Sequence, residues 1–414
     1  MARQMKDSGV EWIGQIPENW KLPKVKNLFQ IGRGRVISQL ELEDEGYPVY
    51  SSQTKNNGCL GYISTYDFDR SQLTWTTDGA NAGTVFLREG KHNCTNVCGT
   101  LLPNDDENNL RYLKYSLEFI AIYHKRADTN GYKIMNNEMA EIKITLPPKE
   151  EQDKIADFLD EKVGEIDNVI ETTKATIEDY KKYKQSLITE AVTKGLNPDV
   201  EMKDSGIEWI GKIPEHWEIV PLKHKCILNA ETLTEQTDQE YEFNYVEIGS
   251  VSLSDGIKEY ERTVFKNAPS RARRVAKKDD IIISTVRTYL KAIAVVPEKD
   301  DVIVSTGFAV LTPNKIVPSF LGYFLKTDYF TNTVTAHSTG VSYPAINSSE
   351  LVSFKILVPT EAEQEEIANY LDEKCTEIDN LISAKEQLIA DMEGYKKSLI
   401  YEYVTGKKEV SDNE

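Results

Sequence analysis

Two stretches of the chain repeat apolar residues at alternating spacings of four and three. In the first, Leu159, Ile166, Thr173, Tyr180 and Leu187 form one seven-residue series, and Val163, Ile170, Ile177, Lys184 and Ala191 form its companion. In the second, the series are Leu371, Ile378, Lys385, Met392, Leu399 and Cys375, Ile382, Ile389, Lys396, Tyr403. This pattern predicts two long helices with coiled-coil seams. Prolines 147, 148 and 359 stop what precedes each helix, and the glutamates after them suit a helix N-terminus. At 1.5 Å per residue each helix runs roughly 65–70 Å. A helix that long does not bury its seam alone, so the two copies are natural partners for each other.

The intervening regions alternate at period two or run apolar between Gly and Asn turns, which predicts strands. The first offers YPVY at 47–50, LTWT at 73–76, TVFL at 84–87 and NVCGTLL at 96–102. The second offers 245–248, 280–284, 292–296 and 302–305. Each region then holds one amphipathic helix, near 107–124 and 318–334, and a last strand at 142–146 or 354–358. The fold class is therefore α+β, with two mixed domains each followed by a long helix.

The halves are copies. MKDSGVEWIGQIPENW at 5–20 matches MKDSGIEWIGKIPEHW at 202–217 in thirteen of sixteen positions, at an offset of 197. The blocks at 152–170 and 364–382 match in twelve of nineteen, at an offset of 212. A period this long is domain duplication, not a solenoid. Residues 30–130 and 230–340 share little, so a common frame carries two different surfaces. The expected divisions are a domain at 1–148, a helix at 149–196, a domain at 197–359, a helix at 360–407 and a disordered acidic tail at 408–414.

Charge refines this division. The net charge is −18 over 414 residues, an awkward total for contact with nucleic acid. It is unevenly spread: −1 over 1–148, −4 over 149–195, −4 over 196–360 and −9 over 361–414. The globular regions are nearly neutral and the helical segments are acidic. That excludes a uniformly basic DNA coater and favours protein partners for the helices. No run of about 18 apolar residues predicts a membrane span, and the N-terminus lacks an apolar signal core, so a cytoplasmic location is expected. Five scattered cysteines do not form a disulfide framework. His92, Cys94 and Cys98 approach a metal cluster, but no second ligand pair completes it; the expectation is small apolar cysteines and no metal.

Catalytic signatures are scarce. There is no GxxxxGK[ST] phosphate loop, no NPPY-type tetrad and no histidine-based triad. Glu89–Lys91 and Glu141–Lys143 fit half of a nuclease motif, with Asp78 and Asp128 upstream, but so short a pattern arises by chance. Polar and basic loops are better represented, and these suit phosphate and base edges. Candidate DNA contacts in the first half are Arg33, Arg35, Gln53, Lys55, Asn56, Asn57, Thr77, Asn81 and Lys133. In the second half they are Arg271, Arg273, Arg274, Arg287, Thr288, Tyr289, Lys291, Ser338 and Tyr343. Trp12, Ile13, Ile16 and Trp20 form an expected packing clasp.

The entry block DSGVEWIGQIPENW, the exit IKITLPP followed by EQ-x-x-IA-x-FLD, and their second copies resemble the specificity subunit of type I restriction-modification enzymes. The resemblance covers nearly the whole chain, in the right order twice. It implies two target-recognition domains whose helices pack as an antiparallel coiled coil, with Leu159, Ile166, Ile170, Ile177, Tyr180, Leu187, Leu371, Ile378, Ile382, Ile389 and Leu399 in the seam. Each domain would read one half of a bipartite, asymmetric site in double-stranded DNA. The implied partners are two modification (methyltransferase) subunits and the restriction subunits. Catalysis, S-adenosylmethionine, ATP and Mg would belong to those partners, leaving this chain non-catalytic and without a cofactor. Lys184, Lys385 and Lys396 interrupt the seam and would face a bound methyltransferase. The competing expectation is a coiled-coil adaptor with two protein-binding modules and no DNA role.

Overall fold

The computed structural model describes residues 3–129 and 131–411. It divides into two compact units, Met1–Lys174 with Glu386–Glu414, and Ala175–Lys385. The boundary cuts through both long helices, Lys149–Lys194 and Glu361–Val404. Each unit thus owns a globular region, half of one helix and half of the other.

The helices pair antiparallel, as each unit shows by itself. In the first, Phe158 meets Tyr403 with ring centroids 4.5 Å apart, and Asp167 meets Lys396 at 2.7 Å. In the second, Tyr180 lies 6.0 Å from the Lys385 ammonium and Lys184 binds Asp379 at 2.6 Å. Numbers rise along one helix as they fall along its partner. Leu159, Ile166, Ile170, Ile177, Leu371, Ile378, Ile382 and Leu399 are buried along this seam, while Tyr180, Leu187 and Ile389 are half-buried. The seam lysines correct the expectation above. All three turn to the sister helix, two onto aspartates and one onto a tyrosine ring.

The globular regions have the same sheet order although their sequences diverge. The first unit has an antiparallel sheet ordered Phe29–Arg33, Cys98–Pro103, Gln72–Thr76, Val85–Arg88. The second repeats it as Cys226–Leu228, Phe308–Pro313, Ile281–Ser284, Ile293–Val295. A second, mixed sheet runs Cys59–Ile63, Tyr47–Tyr50, Lys91–Cys94, Phe68–Asp69 in one unit. Its counterpart runs Glu261–Val264, Glu242–Val246, Val302–Ser305, Ala272–Ala276. In each, the central pair is parallel. The central strands, such as Gln72–Thr76 and Ile281–Ser284, are buried on both faces, so the variation between the units falls on the loops that join them.

Two expected elements differ. The helix near 318–334 is two helices, Pro318–Leu325 and Asp328–Ala336, because the Thr327 hydroxyl caps a new start by accepting from the Phe330 amide. Residues 142–146 make only isolated bridges from Lys143 and Leu146 to Lys24 and Lys21, whereas Lys355–Val358 is a true strand paired with Glu218–Pro221.

The matched blocks join each domain to its helix. Trp20 is fully buried and donates its indole N–H to Glu151 at 2.9 Å; Trp217 donates to Glu363 at 3.3 Å. Gln152 accepts from the Asn109 amide and donates to the Pro147 carbonyl. Gln364 does the same with Val317 and Pro359. Buried amide side chains that satisfy both ends lock the angle between domain and helix. Ile13 and Ile16 are buried, and Trp12 stacks on Tyr123 with centroids 5.0 Å apart. Trp209, the copy of Trp12, is instead 84% exposed. Of the expected tail, Lys408 pairs with Glu402 and Val410 packs on the first core; residues 412–414 lie outside the described ones.

Candidate nucleic-acid interface

In the first unit, residues 77–84 link strand Gln72–Thr76 to strand Val85–Arg88. Asp78–Gly79 pairs with Gly131–Lys133, which pairs in turn with Arg126–Asp128. The Thr77 carbonyl accepts from the Ile134 amide at 2.9 Å, closing the loop onto this ribbon. Asn81 donates to the Thr54 hydroxyl at 3.2 Å and so joins loop 77–84 to loop 51–58. Lys55, Asn56 and Asn57 are exposed there, and Asn56 and Asn57 are left-handed, with φ of 49° and 52°. Arg33 reaches Asn136, just past the ribbon, at 3.1 Å.

These links gather Arg33, Lys55, Asn56, Asn57, Asn81 and Lys133. Lys133 is bonded to Asp128 at 2.9 Å. Gln53 is half-buried and donates to the Cys59 carbonyl. Thr77 is buried and its hydroxyl donates to the Val97 carbonyl, so it sits behind the surface. Arg35 is committed to Asp67 at 3.0 Å and to Glu41.

The second unit builds the same corner around the same threonine–isoleucine bond, with different residues in the loops. The Thr285 carbonyl accepts from the Ile346 amide, as Thr77 does from Ile134. The Arg287 amide donates to the Pro344 carbonyl, and the Thr288 hydroxyl donates to Ser338 at 2.7 Å. Segments 285–291 and 338–345 thus lie together, and Arg287, Thr288, Tyr289, Lys291, Ser338 and Tyr343 gather there. Arg287 and Tyr289 are exposed, and the Arg287 guanidinium lies 4.8 Å from the Tyr343 ring. Thr288 is buried. Lys291 reaches Asn332 at 3.1 Å.

Arg271 is exposed, and its carbonyl accepts from Thr306, next to the Gly307 carbonyl that holds Thr285. Arg273 and Arg274 depart from the expected basic cluster. Their strand is half-buried, Arg273 lies over Phe265 and near Glu235, and Arg274 donates to Thr232.

Backbone register exposes one further correspondence. Trp75 pairs with Val85 as Ile283 pairs with Ile293, so Gly79 and Gly83 stand where the second unit has Arg287 and Lys291. All four have positive φ: 89° and 92° for the glycines, 54° and 49° for Arg287 and Lys291. The second unit therefore places cationic side chains in a backbone conformation that favours glycine.

Two acidic residues of the suggested nuclease motif, Glu141 and Asp128, are otherwise engaged. The Glu141 carboxyl, held between Lys24 and Lys26 at 2.5 Å each, falls to a pKa of about 2 through those hydrogen bonds. Asp128 binds Lys133. Among the described residues no group of three or more His, Cys, Asp or Glu is placed to hold a metal ion, and no helix is long and apolar enough to cross a membrane. All five cysteines are free.

Sequence reasoning missed the ribbon of 126–128 and 131–133, and did not single out Thr54 and Thr285 within their polar loops. The signal available was the threonine shared by Thr77 and Thr285, visible only after the core strands are aligned.

The fold and the paired corners define a duplicated recognition protein. The model of the type I restriction modification DNA specificity domain matches residues 17–179 and 214–390, so the chain belongs to that family and is a type I specificity subunit. The family is a DNA-recognition module rather than a catalytic one, and the chain acts as the specificity component, not as an enzyme. It is 27% identical over 427 residues to the type I restriction enzyme MjaVIII specificity subunit of Methanocaldococcus jannaschii, covering 96% of this chain and 95% of that one. It is 44% identical over 142 residues to the N-terminus of a type I specificity subunit from Mycoplasma pneumoniae, covering 34% of this chain and 76% of that one. A chain solved in work on complex assembly and conformational transition of the type I restriction-modification system shares the fold. Its TM-score is 0.68 at 16% identity, covering 95% of this chain and 99% of that one.

Proposed function

We propose that each unit reads one half of a bipartite, asymmetric DNA site through its paired loops. The first uses 51–58, 77–84, 126–128 and 131–133; the second uses 285–291 and 338–345. Arg287 carries this reading. It accepts a φ of 54° where the other unit has Gly79, and a left-handed L residue costs roughly 1–2 kcal/mol. A loop that only had to turn would keep glycine. Tyr343 supports the guanidinium, which is then free to meet a guanine edge or a phosphate.

The helix pair sets the gap between half-sites and offers an acidic platform to two modification subunits. Those subunits supply S-adenosylmethionine chemistry, the restriction subunits supply ATP-dependent cleavage with Mg, and the assembly works in the cytoplasm. Co-expression with a modification subunit, followed by long-read sequencing of the host DNA, tests the reading. The expected result is methylation confined to one bipartite, asymmetric motif. Methylation without a motif, or with a single undivided one, would overturn it and favour an adaptor.

A further inference from the structure

We infer that Arg88 is a positioning residue for the 51–58 loop, a buried strut that fixes how this loop is offered to DNA. The inference rests on the DNA reading above. Arg88 ends strand Val85–Arg88 and is only 1% exposed. No carboxylate lies within ion-pair distance of it among the described residues. Its guanidinium packs against the Tyr50 ring at 3.6 Å and the Phe86 ring at 4.3 Å. Nε donates to the Thr74 hydroxyl at 3.0 Å and Nη1 to the Asn57 carbonyl at 2.6 Å. Nη2 is buried with no hydrogen-bond partner.

A buried cation without a counter-charge is costly, and the fold does not demand one here. Arg88 pairs with Gln72; in the second unit the Val296 amide bonds the carbonyl of Asp280, the register counterpart of Gln72. The position of Arg88 is thus taken there by Val296, which is fully buried. The same sheet closes that corner with an apolar side chain. What arginine adds, besides a bond to Thr74 within its own sheet, is the bond to Asn57 in the loop.

That bond lands where the loop is most constrained. Asn56 and Asn57 are consecutive left-handed residues, and Gly58 follows with a φ of 79°. A Cβ on Gly58 would lie 2.8 Å from Nη2, so the loop rests directly on the guanidinium. Beyond it Lys55, Asn56 and Asn57 face solvent, and Thr54 receives Asn81 from the neighbouring loop. The uncompensated charge beneath the loop also favours an approaching phosphate.

Two variants test this in the full chain co-expressed with its modification subunit. Arg88→Met removes the charge and the bridge but keeps bulk. Arg88→Lys keeps the charge, but its single ammonium cannot bridge the Thr74 hydroxyl and the Asn57 carbonyl as the guanidinium does. Both are expected to relax base preference at one half-site by about tenfold, the scale of one lost base contact, with the other half-site changing less than twofold. Hydrogen exchange at the Ser51 and Cys59 amides, which bond to Gly58 and Asn56 carbonyls, should quicken by about tenfold as the loop loosens. Unchanged preference and exchange in both variants, or equal loss at both half-sites, would overturn the positioning role. If Arg88→Met fails to assemble, Arg88→Lys decides alone. A wild-type complex that marks no motif would overturn the DNA reading itself, and exchange would still judge the strut.

Discussion

Lys396 sets its ammonium 2.7 Å from the Asp167 carboxylate, bridging the two long helices. Lys184 and Asp379 form the matching pair at 2.6 Å. The offset of 212 that aligns the helix blocks carries Asp167 onto Asp379 and Lys184 onto Lys396. One ion pair, duplicated, becomes two when the copies run antiparallel. Such charges give register to a seam that apolar residues alone leave open to slippage.

Reversing one charge, as in Lys396→Glu, should therefore destabilise the chain, and Asp167→Lys in the same chain should recover it. The groups are partly exposed, so solvent screening holds the coupling to about 0.5–1 kcal/mol. A double-mutant cycle by denaturant unfolding measures it. Additive effects would show that the pair does not set register.

Arg287→Gly should separate stability from recognition. Glycine relaxes the left-handed position and is expected to hold or raise stability by up to about 1 kcal/mol. The methylated motif should meanwhile lose stringency in one half-site. A large fall in melting temperature would mean that Arg287 holds the loop together.

Replacing residues 21–146 with the corresponding segment of another specificity subunit should change one half-site and leave the other as it was. Methylome sequencing reads this directly. A change in both halves would refute modular reading.

Inserting one helical turn near residue 175 should lengthen the gap between half-sites or prevent assembly. An unchanged gap with full activity would exclude the helix pair as the spacer.

Glu141 gives a pH signature. Its pKa falls from 4.5 to about 2 in the folded chain, through Lys24 first and then Lys26. A depressed carboxylate stabilises above its unfolded pKa, and the contribution is lost as pH falls toward the folded one. The stability gap between wild type and Glu141→Gln should be constant above pH 5 and close between 4.5 and 2. A gap that widens on acidification would contradict the ion pairs.

Much of the architecture was legible in residue order. The four-three spacing located both helices, and the strands at 47–50 and 73–76 emerged almost at their observed limits. The single helix expected at 318–334 is two, because Thr327, in the polar Lys326–Asp328 step between apolar turns, caps a new start. Loop residues were legible only as types. Arg273 and Arg287 look alike in a sequence, yet one lies half-buried beside Phe265 and Glu235 while the other is exposed on Tyr343.

Periodicity and repetition are local properties, so residue order alone determined the duplication, the two helices, the α+β class and the family. Which cations face out, why the seam lysines turn inward, and that Arg88 bears on Asn57 depend on contacts between residues far apart in the chain. Those contacts follow from packing and desolvation, which act on a side chain only once its neighbours are in place.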